Sequence, residues 1–245
     1  MSETPKPYLT GRGTPASRLR RLVDGQPPEQ APPPADSPPG RILAAASDLC
    51  AGRGFPGVTV RAVAKQAGVN PAMINYYFGT KERLVDAVVT HQLQLLLRDV
   101  VEGLDQEAAG ERLLAEFPLR ILDSFRRDPK RLRLIRLAIS TEPDRLRRII
   151  RSLGQHSVLG VSGVMLDLVA ELQAAGRVTA VPPRSVMLFL VANAYGLVFM
   201  EQIAREVTGF ALDDDVHWHE HRAALERLLR QGLQNGPRTK EDAHA

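Results

Sequence analysis

The residue types best suited to recognising another molecule are concentrated between positions 70 and 81. Small or polar side chains that could approach the edges of nucleic-acid bases stand at Asn70, Ala72, Met73 and Asn75. An asparagine amide can form two hydrogen bonds with adenine, and alanine or methionine can contact the methyl group of thymine. The types and spacing of these residues therefore indicate base recognition.

Side chains that could hold phosphate follow in the same stretch. Tyr76 and Tyr77 carry hydroxyl groups, and Lys81 adds a positive charge one helical turn later. Contacts of this kind position a protein on nucleic acid without reading its sequence. The stretch thus combines residues for base contacts with residues for backbone contacts.

Two short helices joined by a glycine turn are predicted to position these residues. Thr59 is a good first cap, because its hydroxyl can accept a hydrogen bond from a free N–H group of the next turn. Gly68 can adopt a positive φ and end that helix. Asn70 caps a second helix over 71–78, and Pro71 fits its first turn. The pattern predicts a helix-turn-helix, whose second helix enters the major groove of DNA.

The distribution of charge supports a polyanionic partner for the N-terminal part. The 245 residues carry a formal net charge of +4. Residues 1–39 contribute +1, residues 40–90 contribute +3, and residues 91–245 are balanced. An excess of positive charge on one part of a chain is typical of nucleic-acid binding.

The motif around the glycine turn resembles the DNA-binding domain of the TetR family of transcriptional regulators, over about residues 40–90. The resemblance rests on Phe55, Thr59-Val-Arg61, Val63-Ala64, Ala67-Gly68-Val69, Tyr76-Tyr77-Phe78, Lys81-Glu82 and Leu84. Two positions depart from the pattern: Asn75 stands where many members have tyrosine, and Tyr77 where many have histidine. We expect the first departure to change the sequence preference.

The resemblance implies roles for particular residues. Thr59 and Lys81 would hold phosphates, Arg61 would reach a base or a phosphate, and 71–78 would be the recognition helix. Members are usually homodimers whose C-terminal helices form the dimer interface and a ligand pocket. Ligand binding typically alters the spacing of the two recognition helices.

The remaining chain is predicted to be all-α. Apolar residues recur at spacings of three and four from Ile42 to Cys50, and Gly52 and Gly54 end that helix. Further helices are predicted at about 80–106, 111–127, 129–140, 143–153, 155–175, 183–208 and 215–234. The fold class is therefore an N-terminal three-helix helix-turn-helix domain followed by a larger helical domain for ligand binding and dimerisation.

Four segments are predicted along the chain. Ten of the 18 prolines precede Gly40, so residues 1–39 are interpreted as a basic arm without regular structure, either solvated or adding contacts to DNA. Residues 40–90 form the helix-turn-helix domain, 91–235 the effector-binding and dimerisation domain, and 236–245 a disordered tail.

An apolar stretch from Val186 to Met200 is too short for an ordinary membrane span and is interpreted as a helix buried on several sides. Core packing and dimer contacts account for it without a ligand. Side chains that could line an effector pocket are Phe117, Phe125, Met165, Asn193, Tyr195 and Phe199.

Other polar clusters admit a structural and a functional interpretation. His217 and His221 share a helical face but lack an evident third ligand, so no metal site is predicted. Acidic residues before them, Asp213 to Asp215, suit a helix start. The arginine-rich segment 126–151 is interpreted as solvated helix surface, with binding of an acidic effector as the alternative.

Several function classes are excluded. Cys50 is the single cysteine, which precludes an intrachain disulfide and suits a reducing, cytoplasmic setting; it is expected to be buried. No secretory signal, phosphate-binding glycine loop, zinc-protease motif or nucleophile elbow is found, so neither an enzyme nor a cofactor is predicted.

The sequence thus predicts a transcriptional regulator that binds a pseudo-palindromic operator in double-stranded DNA as a homodimer and has no membrane partner. Repression relieved by an apolar, amphipathic or acidic small molecule is expected. The alternative is a helical small-molecule-binding or interaction module whose helix-turn-helix does not read DNA.

Overall fold

The computed structural model describes residues 13–27, 31–104 and 109–233, and the regular elements in these ranges are all helical. The helices are α1 (Pro15–Asp24), α2 (Pro38–Arg53), α3 (Val60–Ala67), α4 (Pro71–Phe78), α5 (Lys81–Glu102), α6 (Gly110–Arg127), α7 (Pro129–Thr141), α8 (Pro143–Leu153), α9 (Val158–Ala174), α10 (Pro183–Thr208) and α11 (Asp215–Leu233). A short 3-10 helix spans Gly154–His156. The predicted all-α class is confirmed.

The chain forms two compact units. The first, called the helix-turn-helix unit, comprises residues 23–98 and 127–159; the second, called the C-terminal unit, comprises the described parts of 1–22, 99–126 and 160–245. Packing therefore groups α7 and α8 with the helix-turn-helix. The functional boundaries at residues 40–90 and 91–235 stay predictions.

Helix α2 braces the helix-turn-helix unit. The Ser37 hydroxyl caps it by accepting a hydrogen bond from the Gly40 N–H group, at 3.2 Å. Its predicted apolar stripe is buried, with Ile42 and Cys50 fully enclosed. Helix α2 packs against α3, α4 and α7, so burial of this stripe fixes the support for both short helices.

Salt bridges attach α7 and α8 to the same unit. The Lys130 ammonium lies 2.7 Å from the Asp48 carboxylate of α2. The Arg145 guanidinium pairs with Asp86 of α5 and also donates to the Glu82 carbonyl oxygen at 3.1 Å. These arginine and lysine contacts hold four helices of the unit together.

Helix α1 corrects the expectation for the N-terminal arm. The prediction that residues 1–39 lack regular structure is wrong over Pro15–Asp24. Ala16, Leu19 and Leu22 recur every three residues and are buried in the C-terminal unit. This stripe is short and lies among prolines, so its periodicity was not recognised. Residues 1–12 and 28–30 of the arm, and the tail 236–245, lie outside the described residues.

Helix α10 has its predicted bounds and is buried on one face within one chain. It buries one face, through residues such as Leu190, Ala194 and Val198, and leaves large apolar side chains exposed on the opposite face. The exposed residues include Phe189, Phe199, Met200, Ile203 and Val207. Core packing thus covers one face, and the predicted dimer contacts on the other face stay a prediction. Among the described residues, α10 alone is long and apolar enough to cross a membrane by length and composition.

Candidate nucleic-acid interface

Backbone capping defines the geometry of α3 and α4. The Thr59 hydroxyl accepts a hydrogen bond from the Ala62 N–H group at 3.2 Å and starts α3. Gly68 ends α3 in the left-handed conformation, with φ 64° and ψ 38°. A residue with a Cβ atom is strained in this region, whereas glycine is not. The Asn70 side chain then accepts from the Ala72 N–H group at 2.9 Å and starts α4. The predicted helix-turn-helix is thus formed by its predicted caps.

The capping contact affects the predicted role of Asn70. Its Oδ1 atom is occupied by the Ala72 N–H group, so only its amide N–H groups can donate to a phosphate or a base. Pro71 and Ala72 beside it are exposed, and Met73 is half-buried. The start of α4 therefore presents a small, nearly uncharged surface.

The outer face of α4 carries its largest exposed side chains. Ile74 is buried and anchors the helix, whereas Asn75 is exposed and Tyr76 is 82% exposed. Tyr76 and Tyr77 contact each other edge to face, with ring centroids 5.0 Å apart. The Tyr76 ring exposes a large apolar surface to water. Covering such a ring by another molecule is favourable, so its exposure indicates a contact site.

Lys81 sits at the first position of α5 and connects two parts of the surface. Its ammonium group donates a hydrogen bond to the Pro56 carbonyl oxygen at 3.0 Å, just before Thr59. The side chain is half-buried, and two of its three N–H donors can still reach a phosphate. Lys81 and Thr59 thus lie at the same edge of the helix-turn-helix.

Thr80 is a functional candidate that the sequence reasoning missed. Its hydroxyl accepts from the Arg83 N–H group at 3.2 Å and caps α5. The pKa of Glu82 is lowered because its carboxylate accepts hydrogen bonds from the Glu82 backbone N–H group and from the Thr80 side chain. The available signal was a threonine directly before the first residue of a predicted helix, which is the usual place of an N-cap. The α5 N-terminus therefore offers oriented N–H groups suited to an anion.

The helix-turn-helix unit exposes several cations. Arg61 and Lys65 of α3 are exposed, as are Arg53 and Arg83. Arg41 is also exposed and donates to the Asp36 carbonyl oxygen at 2.8 Å. The +3 excess that the sequence assigned to residues 40–90 is therefore displayed at the surface, where it can attract a polyanion.

The six candidates for an effector pocket fall into two groups in the C-terminal unit. Phe117, Phe125 and Met165 are buried, and the Phe125 ring lies 5.9 Å from that of Tyr195. Burial raises the pKa of Tyr195 to about 12. Asn193 is half-buried and Phe199 is 42% exposed, which places Phe199 at the surface. The assignment of these residues to a pocket stays a prediction.

The arginine-rich segment 126–151 is more than solvated surface. Arg131 is buried and forms an ion pair with the Asp128 carboxylate. Arg145 is half-buried and forms ion pairs with Asp86 and Glu142. Arg133, Arg148 and Arg151 are exposed, as expected for a solvated face. Part of the local charge excess therefore stabilises the helix-turn-helix unit.

The histidines near the start of α11 pack around one ring. Phe210 lies 6.2 Å from the His217 ring and 5.0 Å from the His221 ring, and burial lowers the pKa of His221. Asp214 caps the helix by accepting from the His217 N–H group at 3.0 Å, which lowers the pKa of Asp214. Among residues 13–27, 31–104 and 109–233, no group of three or more potential ligands could hold a metal ion.

The caps, exposed α4 face and surrounding cations define a DNA-binding helix-turn-helix. The family described as bacterial regulatory proteins, tetR family, matches residues 42–88. The chain is similar to the HTH-type transcriptional regulator BetI of Brucella suis, with 42% identity over 64 residues that cover 26% of this chain and 32% of BetI. The match thus spans about a third of the length of that relative.

Two further similarities extend over most of the chain. HTH-type transcriptional regulator RutR of Escherichia coli is 23% identical over 196 residues, covering 78% of this chain and 88% of RutR. The crystal structure of the transcriptional regulator FadR from Bacillus subtilis in complex with stearoyl-CoA has a TM-score of 0.61 at 19% identity, covering 79% of this chain and 98% of that chain. The structural likeness shows a shared fold.

Residues 42–88 thus match the DNA-binding domain of the tetR family of bacterial regulatory proteins. The resemblance stated for about residues 40–90 is confirmed by the family match.

Proposed function

We propose that this protein is a sequence-specific transcriptional repressor that binds a pseudo-palindromic operator as a homodimer. The observation that carries the proposal is the exposed outer face of α4, held between two capped helix starts and bordered by cations. Asn75 and Ala72 read base edges, and Tyr76, Tyr77 and Arg61 add contacts to phosphate or bases.

Two-fold symmetry is supported by the exposed apolar face of α10. This face runs along the helix from Phe189 to Val207, and a second copy of the chain would cover it. Two recognition helices in such a dimer read half-sites about one DNA turn apart. The proposed setting is the cytoplasm, and the proposed activity requires no catalysis.

The proposed effector is an apolar or amphipathic small molecule bound in the C-terminal unit. Phe125 and Met165 are buried and Tyr195 is half-buried, and together they supply apolar surface for it. The FadR neighbour contains stearoyl-CoA, a ligand of this character in that protein. Effector binding would favour a conformation with a different spacing of the recognition helices, which releases the operator.

Selection of bound DNA from a random pool with the purified full chain tests the proposal. A palindromic consensus with half-sites about one turn apart is expected. Enrichment of no sequence would contradict sequence-specific binding, and a consensus without symmetry would contradict the dimer. Measuring the binding constant of the selected site at several salt concentrations then gives the phosphate contribution. Each neutralised phosphate steepens the slope of log K against log salt by about 0.9.

A further inference from the structure

Helix α8 carries three arginines on its solvent side. Ile149 and Leu153 are buried, whereas Arg147, Arg148 and Arg151 are exposed. At 100° per residue, the three arginines lie within an arc of about 100° on the side of α8 opposite to the buried pair. These three residues are called the arginine face. Because the apolar side of α8 is buried in the protein, it is not available to insert into lipid, and α8 does not fit a membrane surface.

Two of the three side chains in the arginine face have no counter-charge. The Arg147 guanidinium donates a hydrogen bond to the Asp144 carboxylate at 2.9 Å. Within residues 13–27, 31–104 and 109–233, no acidic side chain forms an ion pair with Arg148 or Arg151. An unpaired guanidinium presents five N–H donors in a planar fork that matches the oxygens of a phosphate. The arginine face therefore suits a partner that presents several phosphates.

The first turn of α8 lies against the first turns of α5, in the same helix-turn-helix unit. Arg145 forms an ion pair with Asp86 and donates to the Glu82 carbonyl oxygen at 3.1 Å. Lys81, the residue before Glu82, is the phosphate contact that the family resemblance implies, and Arg83, the residue after it, is exposed. The arginine face begins within one helical turn of this contact, so its positive charge continues that of the α5 start.

DNA fits this surface better than a small acidic molecule does. The arginine face is the exposed side of a helix, whereas sites for small ligands are concave and enclose them. Arg148 and Arg151 are three residues apart on one face of α8, so both guanidinium groups can reach phosphates of the same strand. Double-stranded DNA carries one negative charge per about 1.7 Å of its axis. The charge of the arginine face is thus complementary to the partner already proposed for this unit.

We propose that the arginine face of α8 binds phosphates of the DNA that flanks each operator half-site. The inference rests on the proposed operator binding and adds a second contact surface to it. Arg148 and Arg151 donate to phosphate oxygens beyond the base pairs that α4 reads, and Arg147, which also pairs with Asp144, adds charge. These contacts strengthen binding without reading sequence, because phosphates are the same at every base pair.

Fluorescence anisotropy with the full chain and two duplexes tests the proposal. The core duplex ends at the edges of the sequence selected from the random pool, and the extended duplex adds about one helical turn of DNA at each end. The unaltered chain is expected to bind the extended duplex several-fold more tightly. The slope of log K against log salt should be steeper there by about 1.8 for each protomer, since two more phosphates are neutralised. Changing the sequence of the added DNA should leave this gain unchanged.

A double variant assigns the gain to α8. Arg148→Gln with Arg151→Gln alters two exposed side chains, and this variant should bind the core duplex as the unaltered chain does but lose the gain from the added DNA. The matched control is Arg184→Gln with Arg227→Gln, which removes two exposed arginines of the C-terminal unit and should keep the gain.

Three results would overturn the proposal. The unaltered chain could bind both duplexes equally, both double variants could keep or lose the gain alike, or the arginine-face variant could weaken both duplexes by the same factor. In each case binding to the core duplex still stands, and only the role of α8 is refuted. Failure of the unaltered chain to bind the core duplex specifically would instead refute the proposed function, and the inference with it.

Discussion

The Lys81 ammonium group donates a hydrogen bond to the Pro56 carbonyl oxygen, 3.0 Å away, and so ties the start of α5 to the segment that leads into α3. This contact brings Lys81 to the edge where Thr59 begins α3. The two residues that the family resemblance assigns to phosphate binding are therefore held at one edge by the chain's own hydrogen bonds. Lys81 thus stabilises the turn, and its proposed contact with a phosphate would be made from this edge.

Replacing Lys81 by alanine is expected to weaken binding to every DNA sequence by a similar factor. The variant loses one phosphate contact, so the slope of log K against log salt should fall by about 1. Fluorescence anisotropy at several salt concentrations measures it. Arg184→Ala, which removes an exposed charge of α10, is the matched control and should leave the slope unchanged. If Lys81→Ala and Arg184→Ala have equal slopes of log K against log salt, Lys81 does not contact a phosphate.

Asn75→Ala is expected to change which sequence is bound. Asn75 is exposed on α4 and can pair with one base, so its loss should cost about 1–3 kcal/mol at one base pair of each half-site and little elsewhere. Binding to a set of single-base operator variants measures this. Tyr76→Phe, which removes only a hydroxyl, should weaken all of these sites together. A uniform loss in Asn75→Ala would instead assign this residue to the DNA backbone.

The helix-turn-helix could be predicted because local chemistry determines it. Thr59 and Asn70 accept hydrogen bonds from the first turns of their own helices, and Gly68 supplies the positive φ between them. Each of these contacts spans two to four residues, so sequence alone contains the information. The departures from the family pattern, by contrast, bear on the partner and not on the fold.

Features that depend on distant residues could not be predicted. Arg18 pairs with Glu171, 153 positions away, and only this contact explains a buried arginine in a proline-dense segment. Hydropathy also cannot tell which face of α10 packs in the core and which is left for a dimer contact, because both faces are apolar.

Ile203→Glu is expected to convert the dimer to a monomer. Ile203 is 53% exposed in the apolar face of α10, and a buried, unpaired carboxylate there would cost more than the dimer gains. Analytical ultracentrifugation measures the mass. Gln202→Glu introduces the same charge at an exposed position about 100° around the helix and should leave the dimer intact. A monomeric unaltered chain would contradict the proposed homodimer.

Cys50 is expected to make stability decrease in alkali. Burial raises its pKa from 9.0 to about 11, so between these values the unfolded chain has lost the thiol proton and the folded chain retains it. The folded state then binds more protons, and the free energy of unfolding falls as the pH rises through this range. Urea unfolding at several pH values measures the fall. In Cys50→Ala, the free energy of unfolding should fall less steeply with pH. An equally steep fall in both proteins would contradict the raised pKa of Cys50.

Loss of the Arg18–Glu171 pair is expected to loosen α1 from the C-terminal unit. Arg18 is 7% exposed and donates to both carboxylate oxygens of Glu171 at 3.1 Å, whereas Glu171 is exposed. Glu171→Gln removes the carboxylate that pairs with this buried guanidinium and leaves only the nearby charge of Asp167, at a cost of about 1–3 kcal/mol.

Trypsin cleavage after Arg20 and Arg21 measures this loosening, because both residues are exposed but lie within a docked helix. Cleavage should be several-fold faster in Glu171→Gln, since proteolysis follows the open population. Glu206→Gln removes an exposed carboxylate of α10 and serves as the charge-matched control. If both variants are cleaved at the rate of the unaltered chain, the buried leucines alone hold α1, and the ion pair adds nothing to its docking.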